Sequence, residues 1–244
     1  MDRATTLKRW TVSSEAGKAA GVPLALFVAL AANAWHTKIP NSLDKRIYDG
    51  IDVSGHGVIF HTARIISYSA SPLGGALLTL LIAALVWWKK RDLVGTLAVF
   101  LSSGSAAILQ RVAKETIQRP RPPYTARLTG QSGFAFPSGH AAGISALVTV
   151  VALLIVAKRL PVRQPNWSAV ALISFGVLVA FTRLLVGAHY FTDAAAGLAL
   201  GTAIACLVTA ALPLLDRIYA RFRPAPPEPK RSSHPSGRTR QTTL

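Results

Sequence analysis

The chain has 244 residues, 51% of them hydrophobic, with a formal net charge of +17 and one cysteine. That length suits one domain, and a lone Cys206 excludes a disulfide framework or a thiolate metal site within the chain. A net charge this high raises the possibility of a nucleic-acid binder, but the positions of the charges argue against one.

Residues 1–18 form a polar tail carrying Arg3, Lys8, Arg9 and Lys18. The first of six apolar runs follows at about 19–35, and the others lie at about 70–88, 93–112, 141–157, 167–188 and 192–214. Each approaches the ~20 residues that cross a bilayer's hydrocarbon. A soluble bundle of six such helices would show polar outer faces at a 3.6-residue period, and "LVTVVALLIVA" shows none. The expected architecture is therefore all-α: a polytopic membrane protein with a six-transmembrane-helix bundle over 19–216. Within the first run, "LAANAW" also offers a small-x-small cleavage pattern. The long leading region and its Glu15 weaken that alternative, and either way residue 36 emerges on the outer side.

The connections alternate in character. Residues 36–69 mix charges with Ile, Val, Phe and Tyr, as expected of a short amphipathic helix at the interface. Residues 113–140 are rich in Pro, Arg and Gly and read as lacking regular structure, since each proline favours extended backbone before it. Residues 217–244 form a second basic tail, with disorder expected from 224 onward.

If the six runs alternate across a bilayer, four clusters fall on one side. They are the N-terminal tail, Lys89–Arg91, the group Lys158, Arg159 and Arg163, and Arg217 to Arg240. This bias marks a cytoplasmic face, with both termini inside and anionic lipid headgroups, not nucleic acid, as neighbours. The expected location is a plasma membrane, crossed six times. Five basic residues lie instead at 111–127 on the outer side, joined by Arg183. That placement runs against the tendency and calls for a functional reason.

Three stretches meet on that outer side: "KETIQRPRP" (114–122), "FPSGH" (136–140) and "TRLLVGAHYFTD" (182–193). Lys114, Arg121 and Arg183, with Arg119 and Arg127 nearby, concentrate positive charge suited to phosphate oxygens. Ser138 is placed to cap the helix that follows, Gly139 permits close backbone approach, and the first-turn amides with His140 favour an anion. His189 and Asp193 share a helix face at i and i+4. They form either a capping pair or a carboxylate-supported histidine fit for nucleophilic or general-base work. Between Glu115 and Asp216, Asp193 is the only carboxylate, and His140 and His189 are the only histidines. Magnesium and calcium sites need several oxygen ligands, and the arginines would oppose zinc on two histidines and one Asp. The site is expected to work without metal or cofactor, its cations neutralising charge.

Together these stretches resemble the type-2 phosphatidic acid phosphatase (PAP2) superfamily, whose signature reads K-x6-R-P, then P-S-G-H, then S-R-x5-H-x3-D. The matching residues are Lys114 with Arg121-Pro122, Pro137 to His140, and Arg183, His189 and Asp193. Thr182 replaces the usual serine, and Arg119-Pro120 is an additional pair out of register. The resemblance implies that His189 attacks phosphorus to form a phosphohistidine and that Asp193 supports it. It also implies that His140 protonates the leaving oxygen and then activates water. Lys114, Arg121, Arg183, Ser138 and Gly139 would hold the phosphoryl oxygens.

The implied function is a metal-independent lipid phosphatase acting on the outer membrane face. Within the family the candidate substrates are polyprenyl diphosphates such as undecaprenyl diphosphate, phosphatidylglycerophosphate, phosphatidic acid and phosphorylated lipid A. A lipid phosphotransferase of the same superfamily, or a headgroup binder or transporter without catalysis, are the alternatives. Nothing in the sequence sets the oligomeric state.

Overall fold

The computed structural model describes residues 3–51, 57–123, 129–158 and 166–222. Arg127, Arg159, Arg163 and the tail from residue 223 lie outside them. The described residues form ten helices and no strands. These are α1 (Arg3–Ala19), α2 (Gly21–Thr37), α3 (Ser42–Gly50), α4 (Gly57–Tyr68), α5 (Pro72–Lys90), α6 (Leu93–Ile117), α7 (Gly139–Lys158), α8 (Trp167–Leu185), α9 (Phe191–Ala210) and α10 (Leu212–Phe222).

Local chemistry sets the helix ends. Ser71 caps α5, accepting from the Gly74 amide at 3.1 Å just ahead of Pro72 in the first turn. Asp92 caps α6 through the Gly95 amide at 2.9 Å. Such caps satisfy amides that the helix leaves without partners. Gln118 ends α6 in the left-handed region, φ 57°, with its amide returning to the Lys114 carbonyl. That reversal turns the chain so that Arg119 enters the interior.

Six helical stretches are long and apolar enough to cross a membrane: Thr11–Thr37, Pro72–Lys89, Leu93–Ile117, Gly139–Val156, Trp167–Leu185 and Phe191–Ala210. The protein is a multi-pass membrane protein with all six expected spans. Exposed Leu77, Leu81, Ile108, Val177 and Phe181 give the bundle an apolar rim suited to lipid, and Trp87, Trp88 and Trp167 stand at helix ends, where aromatic belts form. The amphipathic helix expected in the first connection is present as two. Helix α3 packs on α9, and α4 packs on α8 through buried Phe60, Ala63 and Ser67.

Two boundaries differ from the sequence reading. The N-terminal tail is helical from Arg3, and its buried Val12, Ala16 and Ala20 lie four residues apart on one face against α7, α9 and α10. At the other end, helix α10 continues to Phe222.

Helices α7 and α9 form the bundle's centre, which explains their lack of a polar face. They meet at near backbone contact. A Cβ at Gly201 would stand 2.2 Å from the Ala142 carbonyl oxygen, and one at Gly197 would stand 2.5 Å from the Ser138 carbonyl oxygen. Small residues spaced by four permit this approach in membranes. Ser145 Oγ adds a hydrogen bond to the Leu198 carbonyl at 2.8 Å and lies 2.8 Å from Thr202 Oγ1. The Ser138 amide donates to the Asp193 carbonyl at 2.9 Å. The starts of α7 and α9, which carry the second and third motifs, are thereby held in fixed register.

Candidate active site

A cavity of about 980 Å³ opens among α5, α6, α7 and the connection after α6. At one end its wall carries Lys114, Arg121, Gly139, His140 and His189. From there it runs between α5 and α6 past Thr79, Leu80 and Phe100, so a polar pole continues into an apolar channel. Both imidazoles face the same space.

Lys114 Nζ, in the last turn of α6, donates to the carbonyls of Phe134 at 3.0 Å and Ala135 at 3.3 Å. Arg121 donates through Nε to the Gly133 carbonyl at 3.2 Å and through Nη1 to the Ala188 carbonyl at 2.9 Å. Its Nη1 also lies 3.4 Å from His189 Nε2. Arg183 is buried on α8; its Nη1 donates to Ser67 Oγ and its Nη2 to Gln131 Oε1 at 2.9 Å. Among the described residues no carboxylate pairs with Lys114, Arg121 or Arg183. Their donors rest on neutral oxygens, so the pole keeps an uncompensated positive charge.

His189 precedes α9 and is 2% exposed. Burial, then the charges of Lys114, Arg121 and Arg183, hold its imidazole well below the ordinary histidine value, so it is neutral at neutral pH. Its Nδ1 stands 3.7 Å from Asp193 Oδ2, beyond hydrogen-bond reach, and its Nε2 lies on the side of Arg121. Asp193 Oδ2 accepts the Tyr190 amide at 2.9 Å, so the carboxylate also caps α9. The capping reading of the i,i+4 pair is thus met, and the carboxylate stands beside the imidazole without a hydrogen bond to it.

Asp193 is fixed from behind by a network that the sequence did not disclose. Arg119, out of register for the first motif, does not face the cavity. It is 2% exposed and bridges two fully buried carboxylates, with Nη1 2.6 Å from Asp193 Oδ1 and Nη2 2.6 Å from Asp44 Oδ2. Arg119 Nη1 also donates to Thr192 Oγ1 at 2.8 Å, and Thr192 donates to Asp44 through its hydroxyl at 2.7 Å and its amide at 2.9 Å. Burial alone would lower the Arg119 guanidinium, but Asp193 and Asp44 reverse that and raise it. Asp44 also occupies the third position of a capping box begun by Asn41. It does serve there, accepting the Asn41 amide at 3.4 Å, which hides its second role.

Ser138 is fully buried and takes the N-cap position, with the Ala141 amide 3.5 Å from Oγ. The cavity wall shows Gly139 in its place. Arg183 lines a smaller neighbouring cavity of about 90 Å³, on the far side of Gln131. Lys114, Arg121, His140 and His189 thus converge directly, Asp193 stands behind His189, and Arg183 stands one side chain back.

A family model described as the PAP2 superfamily matches residues 95–217, half of the chain. The chain belongs to the PAP2 superfamily. It is 30% identical over 204 residues to phosphatidylglycerophosphatase B of Bacillus subtilis (strain 168), a match covering 83% of this chain and 97% of that protein. The crystal structure described as the first transmembrane PAP2-type phosphatidylglycerolphosphate phosphatase from Bacillus subtilis superposes with a TM-score of 0.66 at 29% identity. It covers 82% of this chain and 98% of that one. Lipid A 1-phosphatase of Rhizobium johnstonii is 33% identical over 112 residues, 42% of each chain. This PAP2 chain is accordingly a membrane-embedded phosphatase.

Proposed function

We propose that the chain is a metal-independent lipid phosphatase that cleaves a phosphomonoester or diphosphate headgroup through a phosphohistidine at His189. The observation that carries this reading is the trio Lys114, Arg121 and Arg183, without carboxylate partners, around a neutral buried imidazole. Phosphoryl transfer asks a protein mainly for positioning and charge neutralisation, and the cations supply both at one end of a cavity that continues between apolar walls.

His189 Nε2 attacks phosphorus, and the bond from phosphorus to the lipid oxygen breaks. His140 gives its proton to that oxygen. A water, deprotonated by His140, then attacks the phosphohistidine and releases inorganic phosphate. Asp193, fixed by Arg119 and Asp44, supports the imidazole without reaching the phosphoryl group. Phosphatidylglycerophosphate is the substrate favoured here, because the relative of nearly full-length coverage is named for it and the channel admits a glycerolipid tail. A polyprenyl diphosphate, a lipid A phosphate and phosphoryl transfer to a second lipid use the same chemistry and form the comparison set. The segregation of basic residues supports an outer-face site in a bacterial inner membrane.

The test is phosphate release from a panel of these lipids by the purified chain with EDTA present. Release from phosphatidylglycerophosphate is expected, lost in His189→Ala with the fold retained, together with an acid-labile phosphoryl group on wild-type protein. Activity that depends on added metal, or that survives His189→Ala, would overturn the mechanism.

A further inference from the structure

Gln131 belongs to no motif and is not implicated by the sequence, yet it sits at the centre of the cationic pole. Its Oε1 accepts from Arg183 Nη2 at 2.9 Å and from Arg121 Nη1 at 3.3 Å. A point held by two guanidinium donors is where an anionic oxygen is best stabilised, because it adds Coulomb attraction to two cations beyond the hydrogen bonds that a neutral oxygen makes. Here a neutral carboxamide oxygen holds that point. Gln131 is shared between the walls of the two cavities, as are Ser71, Pro72 and His140. Arg183 lines only the smaller one, which His140 also lines, and Gln131 Oε1 stands between Arg183 and Arg121. Arg183 is 3% exposed, and its Nε has no hydrogen-bond partner among the described residues.

We propose that Gln131 is a displaceable stand-in for a phosphoryl oxygen: its carboxamide keeps Arg121 and Arg183 aligned, then cedes that position to the phosphoryl group of the substrate. The inference rests on the phosphoryl site of the preceding subsection and adds a residue that sets its affinity. Two features make the exchange feasible. The smaller cavity, about 90 Å³, is about three times a water's share of liquid volume, roughly 30 Å³, which is room for a three-atom carboxamide. Gly130 and Gly133 flank the residue at φ +68° and +78°, and a Cβ at either would meet nothing within 4 Å. The loop therefore pivots on two positions where glycine tolerates the conformation without strain. Neutrality explains the choice of glutamine. A carboxylate would align the arginines equally well, but it would compete with every incoming phosphate.

The substitutions Gln131→Glu and Gln131→Ala separate this role from a structural one, because they shift phosphate binding in opposite directions. The full chain is titrated in detergent with inorganic phosphate, read as the shift in melting temperature from each variant's own baseline. Phosphate inhibition of lipid-phosphate hydrolysis is measured in parallel. Gln131→Glu places a fixed negative charge in the phosphate position and weakens phosphate binding by at least about tenfold, with KM rising in step. Gln131→Ala removes an internal competitor and tightens phosphate binding by about twofold to fivefold. Gln131→Glu binding phosphate within about twofold of wild type, or Gln131→Ala binding it more weakly, overturns the proposal. If the wild type binds phosphate but hydrolyses no lipid phosphate, the proposed hydrolase fails while the titrations still decide the role of Gln131. If it binds no phosphate at all, both fail.

Discussion

At the scale of single residues, the site divides its charges into two systems. Arg119 is neutralised by Asp44 and Asp193 and works as structure, whereas Lys114, Arg121 and Arg183 have no carboxylate partner among the described residues. Asp44→Asn tests the first system. Breaking a buried ion pair costs about 3–5 kcal/mol when a charge is left alone. Arg119 keeps Asp193 here, so a loss of about 3 kcal/mol is expected, with kcat falling as Arg119 draws Asp193 away from His189. Thermal unfolding and kinetics on one preparation check both; a melting temperature and kcat like those of the wild type would show that Asp44 merely caps α3. The second system sets the pH profile. In the proposed mechanism protonation disables His189, and burial with the surrounding cations holds its pKa below the ordinary 6.5. Its acid limb in kcat/KM should therefore lie below pH 6.5. Lys114→Met removes one repelling charge and should move that limb upward, while the titration of the substrate's own phosphate is common to both enzymes. A limb that stays put or moves down would mean that Lys114 does not act on His189. Asp44, Arg119 and Gln131 were not legible in sequence for a shared reason. Each looks locally ordinary (a capping residue, a misplaced Arg-Pro, a loop amide), and each acquires its role only through partners 10 to 148 positions away.

At the scale of elements, the register between α7 and α9 is what turns motifs distant in sequence into one centre. Gly201 is the tightest point of that contact. Gly201→Ala would drive a methyl group into the Ala142 carbonyl and push the helices apart. Overpacking of this kind costs about 1–3 kcal/mol, and kcat should fall with it, because α7 carries His140 and α9 follows His189. Gly21→Ala is the control, since a Cβ there meets nothing within 4 Å. Equal effects from both substitutions would refute the register argument. The spans themselves were legible because the bilayer demands length and apolarity, and both are read directly from the letters. Helix α1 was not, because its contribution is a narrow stripe of Val12, Ala16 and Ala20 within an otherwise polar segment. Only the faces of α7, α9 and α10 give that stripe a purpose.

At the scale of the whole molecule, charge and depth work together. The basic clusters at Lys89–Arg91 and at Arg217 and Arg221 lie at helix ends remote from the cationic pole. Helix α1 packs beside α10 at that remote end, and a Cβ on Gly17 would touch the side chain of Ala210, the last residue of α9, at 3.4 Å. If those clusters face the cytoplasm, the pole around His189 opens on the opposite surface, and a substrate must present its phosphate there while its tail follows the channel between α5 and α6. The single native thiol makes this testable, because Cys206 is buried and contributes little background labelling. Two variants are compared in intact cells with a membrane-impermeant maleimide: Ser132→Cys, exposed beside the site, and Arg91→Cys, exposed at the far end of α5. Ser132→Cys should label in intact cells, and Arg91→Cys only after the membrane is opened. The reverse pattern would place the phosphatase chemistry on the cytoplasmic side, and the surplus of outer arginines would then follow the ordinary positive-inside tendency.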